Sequence, residues 1–228
     1  MIDQVPTPRD ASTIVIVRND SRSPQVLMGQ RGASASFMPS KFVFPGGALD
    51  PADQSLAGAF AAHSDDISRL TAHSPTTIQP AALALAAIRE TWEETGLAIG
   101  APDGASTSLE SDDEHWQSFF AAGLSPQLNQ LRFIFRAVTP PTRSKRFDAR
   151  FFMTDAAAIH HDLDDFSRAS GELSHLSWLT LSEARSMDLP FITEVVLAEV
   201  ESRLRSADRS HPTPFFHHKD GRSFMDHL

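Results

Sequence analysis

The chain has 228 residues, and its 29 acidic side chains outnumber its 20 lysines and arginines, which gives a formal net charge of −9. It contains no cysteine, so a disulfide framework and thiolate chemistry are excluded. With 41% apolar residues the chain can bury a core, but no apolar run reaches the roughly 20 residues that cross a membrane. Because the first residues carry no basic and apolar leader and the net charge is negative, we expect a cytoplasmic protein with neither a membrane nor a nucleic-acid partner.

Short β-branched or apolar runs between turn residues predict strands at 13–17, 26–28, 42–47, 131–138, 147–153 and 173–180. Composition and spacing predict helices at 81–95, at 112–122, from 182 to the break at 190, and at 191–204. Residues 48–80 are expected to form a partly helical insertion, and 207–228 a C-terminal tail with few regular signals. Since strands stand before, between and after helices, we predict a single α/β (α+β) domain over residues 1–228.

The helix predicted at 81–95 carries a cluster of carboxylates. It is followed by Gly96, where a C-cap glycine belongs. At 100° per residue, Glu90, Glu93 and Glu94 fall on one side of the helix, close enough to bind the same hard cation. Mg²⁺ or Mn²⁺ would remove their mutual repulsion. The alternative from the residues alone is a solvated helix face with Arg89 as its counter-charge.

The residues around this cluster resemble a known signature. The run Arg89–Leu97 (RETWEETGL) is similar to the second half of the Nudix box of the Nudix hydrolases, and Phe44–Gly47 (FPGG) is similar to its beginning. In the family pattern the second glycine precedes the arginine by fourteen positions, whereas Gly47 and Arg89 are 42 positions apart. The excess of 28 residues corresponds to the predicted insertion. The position of the other box glutamate, eight before the arginine, holds Ala81.

An interrupted box is similar to one branch of this family, the peroxisomal-type coenzyme A diphosphatases and their bacterial relatives. Leu27–Arg31 (LMGQR), followed by Phe44–Gly47, resembles the coenzyme A motif of that branch, although Ser36 and Ser40 replace its second arginine and a glycine. Residues 139–152 resemble a pair of strands of the same branch. The resemblance implies hydrolysis of coenzyme A or an acyl-coenzyme A to 3′,5′-ADP and (acyl-)4′-phosphopantetheine.

The resemblance also implies a fold and a set of site residues. The fold is a Nudix-type α/β/α sandwich with a mixed β-sheet, to which this chain adds the insertion and a C-terminal helix. Arg89 would hold a glutamate in place, and Glu172, in a later loop, fits the family position of a general base. Oxygens of Glu93, Glu94 and the carbonyl of Gly47 would bind Mg²⁺ or Mn²⁺, and Glu90 would be a further ligand or would orient the attacking water. The sequence leaves four competitors for the general base, namely Asp155, Asp162, Asp164 and Asp165.

A local excess of basic residues offers partners for phosphate groups. Residues 131–150 contain six lysines and arginines and one acid, a balance of +5 inside a chain of −9. We expect substrate phosphates to be bound by Arg31, Arg143, Lys145, Arg146 and Arg150. The alternative for any one of them is an exposed strand face.

Two other functions and one assembly remain open from the sequence. A Nudix pyrophosphatase could act on ADP-ribose or a dinucleotide instead, and a catalytically silent Nudix-like domain could sense a nucleotide. In each case the partner is a small-molecule nucleotide, with coenzyme A favoured. The sequence also leaves open whether the protein forms a homodimer.

Overall fold

A computed structural model of the chain describes residues 6–19, 23–74, 77–103, 109–206 and 211–228. The strands are β1 (Arg9–Arg18), β2 (Gln25–Arg31), β3 (Phe42–Val43), β4 (Gly46–Ala48), β5 (Gly100–Pro102), β6 (Leu124–Pro126), β7 (Arg132–Val138), β8 (Phe147–Asp155), β9 (Leu173–Thr180), β10 (Pro214–Lys219) and β11 (Arg222–His227). The helices are α1 (Pro51–Leu56), α2 (Ile67–Thr71), α3 (Pro80–Thr95), α4 (Glu114–Ala121), α5 (Leu181–Ser186) and α6 (Phe191–Arg205). None of the described helices is long and apolar enough to cross a membrane.

The described strands form one large mixed sheet and one small antiparallel pair, β5 with β6. The order across the large sheet is β11-β10-β7-β8-β1-β2-β3, with β4 beside β1 and β9 beside β2. β1 pairs in parallel with β8 on one edge. On its other edge, β4 pairs with residues 11–13 and β2 with residues 17–18. The strand end at Gly46 and Gly47 therefore lies beside the first half of the central strand.

Helices cover both faces of the large sheet. Successive side chains of a strand point to opposite faces. Ile14 and Ile16 of β1 pack into one core with α3, whereas Val15 and Val17 pack into a second core with α6. The result is an α/β/α sandwich, which confirms the predicted fold class and its mixed sheet.

α3 begins and ends as its sequence predicts. Gly96 follows the last turn with a φ of 76°, in the left-handed region that glycine adopts without strain. The small alanine side chains allow α1, α4 and the sheet to pack closely against this helix. Almost all of its residues are buried, including Glu90 and Glu94. The alternative of a solvated acidic face is therefore wrong for these two glutamates.

The segment between β4 and α3 is partly helical, as expected, and packs onto the large sheet. The backbone carbonyl of Ala72 accepts a hydrogen bond from the guanidinium of Arg136, and the hydroxyl of Ser74 accepts one of 2.6 Å from Arg150. The backbone N–H of Phe133 donates to the carboxylate of Asp66 over 2.9 Å. These bonds fix the end of the insertion to strands β7 and β8.

Two arginines of β7 and β8 are used inside the fold. Arg136 donates to both oxygens of Asp148, over 2.8 and 2.6 Å, and Arg150 is paired with Asp10 and Asp148. Both arginines are at most 1% exposed. A guanidinium at this depth needs such partners, because burying an unpaired charge is costly. The prediction that Arg150 binds a substrate phosphate is therefore wrong.

The predicted C-terminal tail is a β-hairpin for most of its length. β10 pairs in parallel with β7 at Phe215 and Phe216, so the hairpin extends the large sheet. Its two strands are joined by Asp220 and Gly221, whose φ values are 51° and 73°. An Asp-Gly pair between two short runs is the sequence signal that predicts such a hairpin. Residues 207–210 of the predicted tail lie outside the described residues.

Candidate active site

The glycine pair of β4 lies directly against two glutamates of α3. The backbone N–H of Gly46 donates to Glu94 Oε2 over 2.8 Å. A Cβ atom on Gly47 would overlap the carboxylate of Glu90, which would then have to move. The missing side chain of Gly47 therefore leaves room for the carboxylate of Glu90 at the strand end. The structure thus brings together three residues that the sequence predicts for the site.

Arg89 is held by a carboxylate from the predicted insertion. Its Nε lies 3.0 Å from Asp53 Oδ1, and its Nη2 donates to Asp53 Oδ2 over 3.1 Å and to the carbonyl of Ala48 over 3.0 Å. Asp53 is fully buried and also accepts hydrogen bonds from Trp116 Nε1, over 2.8 Å, and from the backbone N–H of Asp50, over 2.9 Å. The carboxylate of Asp53 therefore accepts hydrogen bonds from a guanidinium, an indole N–H and a backbone N–H at the same time.

The same guanidinium reaches the glutamate cluster. Arg89 Nη1 lies 3.0 Å from Glu90 Oε1 and 3.5 Å from Glu93 Oε2. Burial alone would lower the pKa of Arg89, but hydrogen bonding to Asp53 and the charges of Asp53 and Glu90 raise it. Arg89 is therefore cationic and orients Glu90, which agrees with the predicted holding role.

All three glutamates of the cluster have raised pKa values. Burial is the largest cause for each, and Arg89 opposes it at Glu90, whose pKa rises to about 7. At Glu93 the charges of His115 and Arg89 oppose the effect of burial on the pKa. The pKa of Glu94 is raised well above its ordinary value by burial and by the charge of Glu90. The cluster therefore holds negative charge at a cost that a cation would offset.

Glu172 lies near the same patch, immediately before β9. Its negative charge raises the pKa of both Glu93 and Glu94, so the three carboxylates are within electrostatic reach of one another. Glu172 Oε1 accepts a hydrogen bond of 3.0 Å from Arg31, and its side chain is half exposed. The structure therefore brings Glu172 and Arg31 to the glutamate cluster.

Among the competitors for the general base, two have clear structural partners elsewhere. Asp155 caps the short turn after β8 by accepting from the backbone N–H of Ala157, and Asp164 is paired with Arg18 at 3.0 Å. Asp162 and Asp165 accept from backbone N–H groups of their own loop. Of the five candidates for the general base, Glu172 is therefore the one whose charge acts on both Glu93 and Glu94.

His115 of α4 was missed by sequence reasoning. Its Nε2 lies 3.3 Å from Glu93 Oε2 and 3.9 Å from Glu114 Oε1, and its side chain is partly exposed. Asp113 caps α4 by accepting from the backbone N–H of Trp116. Trp92 Nε1 of α3 donates to the hydroxyl of Ser118 over 2.7 Å, which holds α4 against α3. A lone histidine separated from the cluster by more than twenty residues carries no motif, so only the packing of α4 on α3 reveals it.

The remaining basic residues lie at the turn between β7 and β8. Lys145 donates to the hydroxyl of Ser36 over 2.5 Å, which joins this turn to the loop that follows Arg31. Arg146 donates to the carbonyls of Thr139 and Pro6, over 3.0 and 2.7 Å. Arg143 is exposed. Lys145 and Arg143 therefore keep charge at the surface, whereas Arg146 mainly ties backbone segments together.

The donor chemistry fits a hard divalent cation. The glutamates of the cluster and the main-chain carbonyl of Gly47 are oxygen donors, which Mg²⁺ and Mn²⁺ prefer. Across the described parts of the chain, no group of three or more His, Asp or Glu side chains is arranged so that it could hold a metal ion as it stands. Glu93 in this structure is turned toward His115 and Arg89. A cation at this site would therefore require the side chain of Glu93 to reorient.

No family model matches the sequence. A curated protein of Caenorhabditis elegans named "Putative nudix hydrolase 7" is 25% identical over 184 residues, which cover 77% of this chain and 52% of that protein. The chain thus spans about half the length of this curated relative. A crystal structure of a NUDIX hydrolase from Alicyclobacillus acidocaldarius is 29% identical, with a TM-score of 0.62 over 86% of this chain and 91% of that one. These likenesses support the Nudix hydrolase family.

The fold has a further structural relative. The NUDIX domain of Shewanella oneidensis NrtR, in complex with ADP ribose, is 12% identical to this chain, with a TM-score of 0.50 over 87% of this chain and 90% of that one. At this identity the likeness supports the Nudix fold alone.

In the Nudix box pattern that the sequence resembles, Asp53 fits the position of the acid that precedes the arginine. The box acid precedes the arginine by eight positions and the glycine precedes it by fourteen, so the acid follows the glycine by six. Counting back from Arg89 reaches Ala81, but counting forward from Gly47 reaches Asp53. Ala81 is part of the apolar core, whereas Asp53 pairs with Arg89. The inference of a missing box acid is therefore wrong, because the extra residues follow this position.

Replacing Asp53 by alanine should strongly destabilise the protein, since Arg89 would lose its principal buried partner. Breaking a buried pair from one side costs about 3–5 kcal/mol. The matched control is Asp50→Ala at the other half of the same capping box, where Asp50 accepts from the backbone N–H of Ala52. Loss of such a cap costs about 1 kcal/mol. Urea unfolding measures both, and equal losses for the two variants would contradict the role given to Asp53.

Proposed function

We propose that the chain is a divalent-metal-dependent hydrolase that cleaves the diphosphate linkage of a nucleoside diphosphate derivative. The observation that carries this proposal is the convergence of Glu90 and Glu94 on the glycine pair of β4, with Glu93 and Glu172 beside them. A diphosphate is anionic and resists attack by water, so its hydrolysis needs charge neutralisation and an activated water. A patch of buried carboxylates next to a backbone carbonyl suits both needs.

In this proposal the chain's own residues have three roles: they hold the cation, orient one of its ligands and accept a proton from water. Mg²⁺ or Mn²⁺ would be held by oxygens of Glu90, Glu93 and Glu94 and by the carbonyl of Gly47, and Arg89 keeps Glu90 oriented. When bound, the cation supplies charge neutralisation at the phosphate oxygens and makes a bound water more acidic. Glu172, half exposed beside Arg31, takes a proton from the attacking water. The new P–O bond to the water oxygen forms as the bridging P–O bond breaks, and each product keeps one phosphate of the cleaved diphosphate.

The favoured substrate is coenzyme A or an acyl-coenzyme A. Its support is the partly kept motif from Leu27 to Gly47 and the position of Arg31, which contacts Glu172. Lys145 and Arg143 lie on the turn that contacts Ser36 in the same motif, where their charges could meet the 3′-phosphate of the nucleotide. The products would be 3′,5′-ADP and (acyl-)4′-phosphopantetheine. A cytoplasmic location stays a prediction.

Incubation with coenzyme A and Mg²⁺ should yield 3′,5′-ADP and 4′-phosphopantetheine, identified by mass spectrometry, and a chelator should stop the reaction. ADP-ribose and a dinucleotide are tested in parallel. Turnover of either of these without turnover of coenzyme A would contradict the substrate but not the diphosphatase activity. Failure to hydrolyse any of them with Mg²⁺ or Mn²⁺ would contradict the activity and favour a nucleotide-sensing domain.

Substituting Glu93→Gln should lower kcat at least about a hundredfold, because the substitution removes a charged oxygen ligand. The melting temperature should not fall, since Glu93 is not fully buried and its neighbours keep their other partners. Glu114→Gln is the matched control: its side chain is 88% exposed on α4, and it should leave kcat unchanged. A Glu93→Gln enzyme with full activity would refute the ligand role.

A further inference from the structure

β11 forms the outer edge of the large sheet. In the order of the described strands it stands last, and its inner edge pairs with β10. All six of its residues, from Arg222 to His227, are exposed. No described strand pairs with the outer edge of β11. Such an edge presents a row of backbone donors and acceptors to a further strand.

The hairpin turn determines which backbone groups point outward. With positive φ at both Asp220 and Gly221, the turn has the backbone signs of a type I′ turn, which is closed by a hydrogen-bonded pair. That pair is Lys219 with Arg222. Hydrogen-bonded and non-hydrogen-bonded pairs then alternate along the hairpin. Arg222, Phe224 and Asp226 therefore bond inward to β10, while Ser223, Met225 and His227 direct their N–H and C=O groups outward.

The side chains of β11 are complementary to those of a second copy. Arg222, Phe224 and Asp226 lie on one face of the strand because they alternate along it. Arg222 and Asp226 carry opposite charges, and each lies two residues from Phe224. In antiparallel pairing centred on Phe224, Arg222 lies opposite Asp226 of the second copy, and Asp226 lies opposite its Arg222. The two Phe224 side chains meet at the two-fold axis.

The backbone agrees with this register. Pairing centred on Phe224 places Ser223 opposite Met225 of the second copy, and both residues direct their hydrogen-bonding groups outward. A shift of one residue would set outward groups against inward ones. A shift of two residues would place Phe224 opposite a charged side chain. The centred register therefore satisfies hydrogen bonds, charges and apolar contact together.

The edge is also apolar and preorganised. Phe224 and Met225 are 39% and 45% exposed, which is unusual for large apolar side chains. Phe224 stacks on His217 with ring centroids 5.5 Å apart, and His217 in turn stacks on Phe215 at 4.7 Å. His217 Nε2 also lies 2.7 Å from the carboxylate of Asp226. The strand therefore has little freedom to lose on pairing.

We propose that β11 joins two copies of this chain edge to edge, in antiparallel register about a two-fold axis at Phe224. The large sheet would then continue from one copy into the other. The interface is isologous, so it closes after two copies and does not propagate. It lies on the strand farthest along the sheet from β1, so dimerisation leaves the glutamate cluster open.

The full chain should show a reversible, concentration-dependent dimer in sedimentation velocity. Arg222→Glu should weaken it about tenfold, because like charges then face each other at both ends of the paired strands. The double variant Arg222→Asp with Asp226→Arg should restore it, since opposite charges again face each other. Met225→Pro should also weaken it, because the substitution removes an outward N–H that the hairpin does not use.

Thermal unfolding of each variant separates loss of dimer from loss of fold. In the wild-type chain, amide hydrogen exchange at Ser223, Met225 and His227 should slow as protein concentration rises, while exchange at Phe224 should not change. A chain that is monomeric at every concentration would overturn the proposal. So would a dimer that neither Arg222→Glu nor Met225→Pro weakens, because that dimer would use another surface.

Discussion

The buried pair of Arg89 and Asp53 is the contact on which the candidate site depends. The two residues are 36 positions apart, yet Asp53 is fully buried and receives Arg89, Trp116 and a backbone N–H on one carboxylate. The same guanidinium reaches Glu90 and the carbonyl of Ala48. It therefore ties α1, the end of β4 and α3 to one point. The pair therefore reinforces the direct hydrogen bond between Gly46 and Glu94 that joins the glycine strand end to the glutamates.

Several charged side chains of this protein are buried, and these include both arginines and acids. Arg136 and Arg150 neutralise Asp148 and Asp10 inside the fold and fix the insertion to the sheet. Glu90 and Glu94 of α3 are buried as well, and burial is the largest cause of their raised pKa values. The net charge of −9 therefore says little about the partner. An anionic substrate becomes compatible with this chain once a cation joins the carboxylates.

Local patterns predicted most of the fold, whereas long-range partners escaped prediction. The strands β1, β2, β7, β8 and β9 and the helix α3 follow from β-branched runs and helical spacing, which depend on neighbours in sequence. Asp53 was missed because its distance from Arg89 in sequence differs from that in the family pattern, and His115 because it carries no motif. The burial of Arg150 could not be foreseen either, since it follows from a parallel pairing of β1 with β8 and from contacts with Ser74.

The central claim is that two separated stretches of sequence assemble one metal site for a diphosphate. The most direct measurement is an anomalous-difference map from crystals of the full chain grown with Mn²⁺. The account predicts a peak coordinated by oxygens of Glu90, Glu93 and Glu94 and by the carbonyl of Gly47, with Glu93 turned away from His115. A map with no peak at this cluster at saturating Mn²⁺, or with its peak at other residues, would contradict the account.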